Sequence, residues 1–117
     1  MSDGTDKFQL GIALFNSEEF FRAHEVWEDL WLAEAEPRRT FLQGLIQAAA
    51  AFHHYLRGNF SGAQALLTSA AVKLRRFPAD HGGIALEELR EELVWWARAL
   101  GEGTDRGRDN LPRINLI

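Results

Sequence analysis

Apolar residues recur every three or four positions along successive stretches of this chain, each stretch closed by glycine, proline or asparagine. Nowhere do they alternate with polar residues in the period of two that a half-buried strand requires. A period near 3.6 lines apolar side chains along one side of a helix, so the chain is expected to be all-α. At 117 residues it falls in the range of a single domain, here residues 1–117, arranged as a bundle of about five antiparallel helices.

The punctuation sets the expected boundaries. After a polar, flexible start over residues 1–5, a first helix covers roughly Asp6 to Phe15. Asn16 and Ser17, followed by Glu18 and Glu19, read as an N-cap with acidic residues in the first turn, opening a second helix that runs to about Ala33. Pro37 pre-sets the first turn of a third helix, Arg38 to Leu56, which Gly58 and Asn59 end. Ser61 offers a cap for a fourth helix, which Pro78 stops. Gly82 and Gly83 mark a loop before a fifth, Ile84 to Leu100, closing at Gly101. Residues 101–110 are glycine-rich and charged, a linker expected to be too polar to pack. The tail 111–117 is apolar and extended, and is expected to dock on the body or on a neighbouring subunit. Trp95 and Trp96 are adjacent, so one should be buried and the other partly exposed.

Composition removes several functions. Thirteen basic and 17 acidic residues are interspersed, for a formal charge of −4, and form no basic stripe suited to nucleic acid. No apolar run approaches the roughly 20 residues that span a bilayer, so no membrane partner is expected and the cytoplasm is the default location. With no cysteine, chemistry must come from histidine, carboxylates, amides or hydroxyls.

Those groups concentrate on the second and third helices. Phe20, His24, Trp27 and Trp31 share one stripe of the second helix, with Phe21 and Glu28 beside it and Glu25 further round. Glu28 follows His24 by four positions, within reach of an imidazole–carboxylate hydrogen bond. On the third helix Phe41, Leu45, Ala48, Phe52, Tyr55 and Leu56 form an apolar face. Gln43, Gln47 and His54 stack on the other side among the small residues Gly44, Ala50 and Ala51. A solvated face would carry Lys, Glu and Arg instead, so this one is expected to pack against the second helix or a symmetry mate. His24, Glu28, Gln47 and His54 are the first candidates for a polar pocket, with Glu25, Gln43, His53, Trp27 and Trp31 around it.

The run Phe20-Phe21-Arg22-Ala23-His24-Glu25-Val26-Trp27-Glu28, then Trp31, then Phe41-Leu42-Gln43-Gly44-Leu45-Ile46-Gln47-Ala48-Ala49, resembles the family called domain of unknown function 309. The resemblance covers roughly residues 8 to 77, and Leu111-Pro112-Arg113-Ile114 is similar to that family's short apolar tail. It implies an all-helical fold and a His-Glu-x-Trp-Glu signature, and no established activity.

Two functions fit the cluster. In one, the chain is a non-enzymatic, self-associating module: His24 is held by Glu28 and Gln47 satisfies a neighbour, so that the polar network fixes helix register, and no cofactor is required. In the other, His24 and Glu28 with His54 or Glu25 hold a divalent metal whose bound water is the nucleophile of a hydrolase. The spacing is not that of the bundle carboxylate sites or of the zinc proteases. His53 and His54, about 100° apart on one helix, cannot easily chelate one ion together.

Overall fold

The computed structural model describes residues 3–117, with side chains from Lys7 onward. Five α-helices make up the described residues: α1 (Asp3–Asn16), α2 (Phe20–Leu32), α3 (Arg38–Leu56), α4 (Phe60–Leu74) and α5 (Leu86–Gly101). Short 3₁₀ turns at His81–Gly83 and Arg108–Asn110 flank α5. Helix α1 starts at Asp3, ahead of the expected Asp6.

Helix α3 is central, packed on α2 and α4, while α1 lies on α2 and α5 on α4. Its sequence explains why. Phe41, Leu42, Leu45, Ala48, Ala49, Ala51 and Phe52 have no exposed surface, so burial runs most of the way round the helix. Between its two ends, a row of Gln43, Gln47, Ala50 and the histidine pair is left half-buried. Gly44 lets α4 approach closely, since a Cβ there would lie 2.6 Å from Leu74 Cδ2.

An aromatic chain ties the helices together. Phe15 meets Phe20 edge-on at 5.0 Å, Phe20 lies 5.5 Å from Phe52, and Phe52 meets Trp96 edge-on at 5.5 Å. Truncating such a ring to alanine costs about 3–5 kcal/mol, so Phe52, which touches rings from α1, α2 and α5, is a principal anchor of the fold. Trp96 is fully buried and Trp95 is 57% exposed, the division that adjacency predicts.

Several boundaries depart from expectation because tertiary contacts claim the capping residues. Asn16 is the last residue of α1, not the cap of α2, and its side chain is taken by the tail. Helix α2 begins after Glu19 without a side-chain cap, and Glu18 turns the chain through a left-handed φ of 63°. Asn59, rather than Ser61, caps α4, its Oδ1 accepting the Gly62 N–H at 3.0 Å. Helix α4 ends at Leu74, where Arg90 of α5 donates to the Leu74 carbonyl at 2.9 Å and also to the Phe77 carbonyl. Ile84 and Ala85 continue the apolar pattern of α5 in sequence but are extended, pairing with the tail.

The 101–110 segment also packs, contrary to its composition. The Arg106 guanidinium lies 4.3 Å from the Trp95 ring centre and 5.5 Å from that of Trp96, and it pairs with Glu92 at 3.3 Å. The Tyr55 hydroxyl donates to the Asp105 carboxylate, which also accepts the Gly107 N–H at 2.8 Å. Two charged side chains of this mostly exposed segment thus find partners on the body, Arg106 on ring faces and Asp105 on a phenol. The tail beyond it docks on the body, with Ile114 buried.

Candidate functional site

Helix α2 is aimed by Trp27. Its indole is fully buried and donates to the Phe8 carbonyl of α1 at 3.1 Å. Anchoring that ring, with Phe20 and Ala23, turns the next sector of α2 towards the edge of α3. Trp27 is therefore a core residue and not part of a pocket wall.

On that sector the His24 ring stacks on Phe21 with centres 5.6 Å apart, and Phe21 also lies 5.2 Å from the His53 ring of α3. His24 Nε2 is 3.6 Å from Glu28 Oε2, an ion-pair distance too long for the expected hydrogen bond. Burial, followed by the nearby charges of Arg57, His54 and His24, pushes the His53 imidazole below its usual pKa and favours its neutral form. Glu25 is exposed on the outer side of α2.

Trp31 continues the stripe, half-buried beneath the Arg39 guanidinium, which sits 3.9 Å from its ring centre. On α3, Gln43 and Gln47 are half-buried as expected. His54 is placed differently. Its Nδ1 lies 3.2 Å from Asn59 Nδ2 at the α3–α4 junction, which draws it towards the next helix. The structure therefore brings His24 and His53 against Phe21, with Glu28 beside His24 and His53 in the place expected of His54. The helical phase carried that signal: His53 continues the buried row Leu42, Ile46, Ala49, whereas His54 continues the row Gln43, Gln47, Ala50.

The polar network is not self-satisfied. His24 Nδ1, Trp31 Nε1 and Gln47 Oε1 are all enclosed and all without a hydrogen-bond partner. Of the four enclosed side-chain atoms left unpaired among the described residues, these three belong to α2 and α3, and the fourth is Trp96 Nε1. Each such atom costs about 1–3 kcal/mol. Gln47 Oε1 therefore has no hydrogen-bond partner among the described residues.

Among the described residues no three histidine, aspartate or glutamate side chains are grouped as a metal ion would need, so His24, Glu28 and His54 do not assemble into one shell. Concavities of the surface include five: over α4–α5, beside Trp95 and Arg106, between α1 and the tail, between residues 36–40 and Arg76–Phe77, and between the glutamates of α5 and residues 111–115. None has His24, Glu28, Gln47, His53 or His54 in its wall.

Fold and site together define a small all-helical module with a polar, imidazole- and amide-bearing face between two helices. The chain belongs to the family described as "domain of unknown function (DUF309)", whose model matches residues 8–66, from α1 into α4. It is also similar to an uncharacterized protein of Aquifex aeolicus (strain VF5), 34% identical over 80 residues. That match covers 68% of this chain and 24% of the relative, so the shared unit is a minor part of a longer protein there. None of the described helices is long and apolar enough to cross a membrane.

Proposed function

We propose that this protein is a non-enzymatic helical module that self-associates through the α2–α3 face. The observation that carries this reading is the set of three enclosed, unpaired polar atoms, His24 Nδ1 and Trp31 Nε1 of α2 and Gln47 Oε1 of α3. On the same two helices Phe21 and Leu32 of α2 are 49% and 67% exposed, and Ala50, one turn from Gln47 on α3, is half-buried. A chain that leaves such groups unpaired forgoes stability, and a second copy laid along the Gln43, Gln47, Ala50 row offers them partners after small side-chain rotations. A two-fold arrangement sets the same patch against itself, so each copy supplies donors and acceptors to the other.

The family match supports the same face, since residues 8–66 contain all of α2 and α3 and none of α5. The size of the Aquifex relative supports a module used alongside other segments. Nothing favours the metal-dependent hydrolase equally: the half-buried His24 and the more exposed Glu28 line none of the five concavities described above. Sedimentation equilibrium across micromolar concentrations tests the reading. A mass approaching twice the 13.3 kDa chain is expected, and a 13.3 kDa species at every concentration would refute it.

A further inference from the structure

Residues 111–117 lie in a cleft that grips an extended chain along both of its edges. On one edge the Asn16 carboxamide mimics a neighbouring strand: Nδ2 donates to the Ile114 carbonyl at 2.9 Å, and Oδ1 accepts the Ile114 N–H at 2.7 Å. On the other, the Ala85 N–H donates to the Asn115 carbonyl at 2.8 Å and the Ile117 N–H donates to the Gly83 carbonyl at 3.0 Å. These close an antiparallel bridge between Ile84 and Leu116. The alternation is that of a strand, with Ile114 facing one edge and Asn115 and Ile117 the other.

All four bonds go to tail backbone atoms and would be made by any extended segment. Selectivity comes from Ile114, which is 2% exposed, and from the buried Pro112. Backbone pairing for affinity with a pocket for one side chain for specificity is the general logic of strand-addition recognition.

We infer that the cleft between the end of α1 and the 83–85 turn is a recognition site for an extended segment with a Pro-x-Ile core, filled in cis by residues 111–117 and able to accept that segment from a second copy. Exchange of an identical element needs no new contact. The cis arrangement leaves Leu116 and Ile117 64% and 77% exposed, so it does not cover the end of the tail. The preceding segment turns at Gly103 and Gly107 with φ of 76° and 90°, positions that accommodate a change of path. The inference uses none of the α2–α3 residues.

The probe is a fluorescein-labelled synthetic peptide of residues 110–117, added to full-length protein and followed by anisotropy. The Ile114→Asp variant, whose own tail no longer competes, is expected to bind it at least about tenfold more tightly than the natural chain does. Adding Asn16→Ala to that variant should weaken binding by about tenfold through loss of the paired amide bonds. A helical Ile114→Asp protein that does not bind the peptide, or binds it no better than the natural chain, overturns the inference. Should that variant lose its helicity, amide exchange of the natural chain decides. Excess peptide must deprotect the Ile114 and Ile117 amides while α2–α4 keep their protection, and unchanged protection refutes displacement. Exchange between copies is read by mixing Ile114→Asp with Asn16→Ala, both carrying Ala50→Arg to remove the association proposed above. A mixed dimer absent from either variant alone is expected, and its absence overturns the second copy as occupant.

Discussion

Gly11 and Trp27 are in direct contact: a Cβ placed on Gly11 would lie 2.1 Å from the indole Nε1 and 2.4 Å from Cε2. The glycine is what lets α1 settle on the ring that aims α2. In an exposed helix interior, Gly→Ala stabilises by about 1 kcal/mol. Here the sign is reversed, and Gly11→Ala is expected to destabilise by about 1–3 kcal/mol through overpacking. Urea unfolding measures it, and an unchanged or raised midpoint would remove Trp27 as the anchor of α2.

Tyr55 is the only tyrosine of the chain, so absorbance titration reports it alone. Burial, and then its hydrogen bond to Asp105, push its pKa from 10.0 up to about 12. A phenol with a raised folded-state value contributes stability that is fully present below pH 10 and is lost as pH rises from there through about 12. Asp105 has the opposite sense. Accepting from Tyr55 and the Gly107 N–H holds its carboxyl below the ordinary value, so its contribution is present above the usual aspartate range and fades as pH falls through its lowered value. The folded protein should keep Tyr55 protonated at about pH 11, and a midpoint near 10.0 would mean the 101–110 segment does not pack as described.

Gln47 supplies a test of strain without ligand. Its enclosed, unpaired Oε1 is a cost in the isolated chain, and methionine has nearly the same shape without the polar atom. Gln47→Met is expected to raise the stability of the monomer by up to about 1 kcal/mol, a discount on the full penalty because the residue is only half-buried. The same change should weaken self-association. A less stable monomer would show that the amide is already satisfied within the chain.

Much of the fold was legible from local signals. Helix α3 begins and ends at Arg38 and Leu56 as its flanking Pro37 and Gly58 require, and the Trp95–Trp96 division follows from helical rotation alone. The departures share one cause, contacts between residues far apart in sequence. Asn16 and Ile114 are 98 positions apart and Tyr55 and Asp105 are 50 apart, so neither residue's neighbours disclose its partner.

At the candidate site the His24–Glu28 pair was legible because it lies within one helix at a spacing of four. The choice between His53 and His54 was not, because it depends on how α3 is rotated against α2 and on Asn59 drawing His54 away. That three polar atoms are enclosed without partners is a property of packing density, invisible to any pattern of residue types.

The location of the interface is tested most directly by sedimentation of two charge insertions, Ala50→Arg on α3 and Trp95→Glu on α5. Ala50 is half-buried and Trp95 is 57% exposed, so circular dichroism and a urea midpoint for each variant accompany the sedimentation to show that it is folded. The account predicts that Ala50→Arg sediments as the 13.3 kDa monomer at concentrations where the natural chain and Trp95→Glu are dimeric. A dimeric Ala50→Arg beside a monomeric Trp95→Glu would contradict it and move the contact to α5.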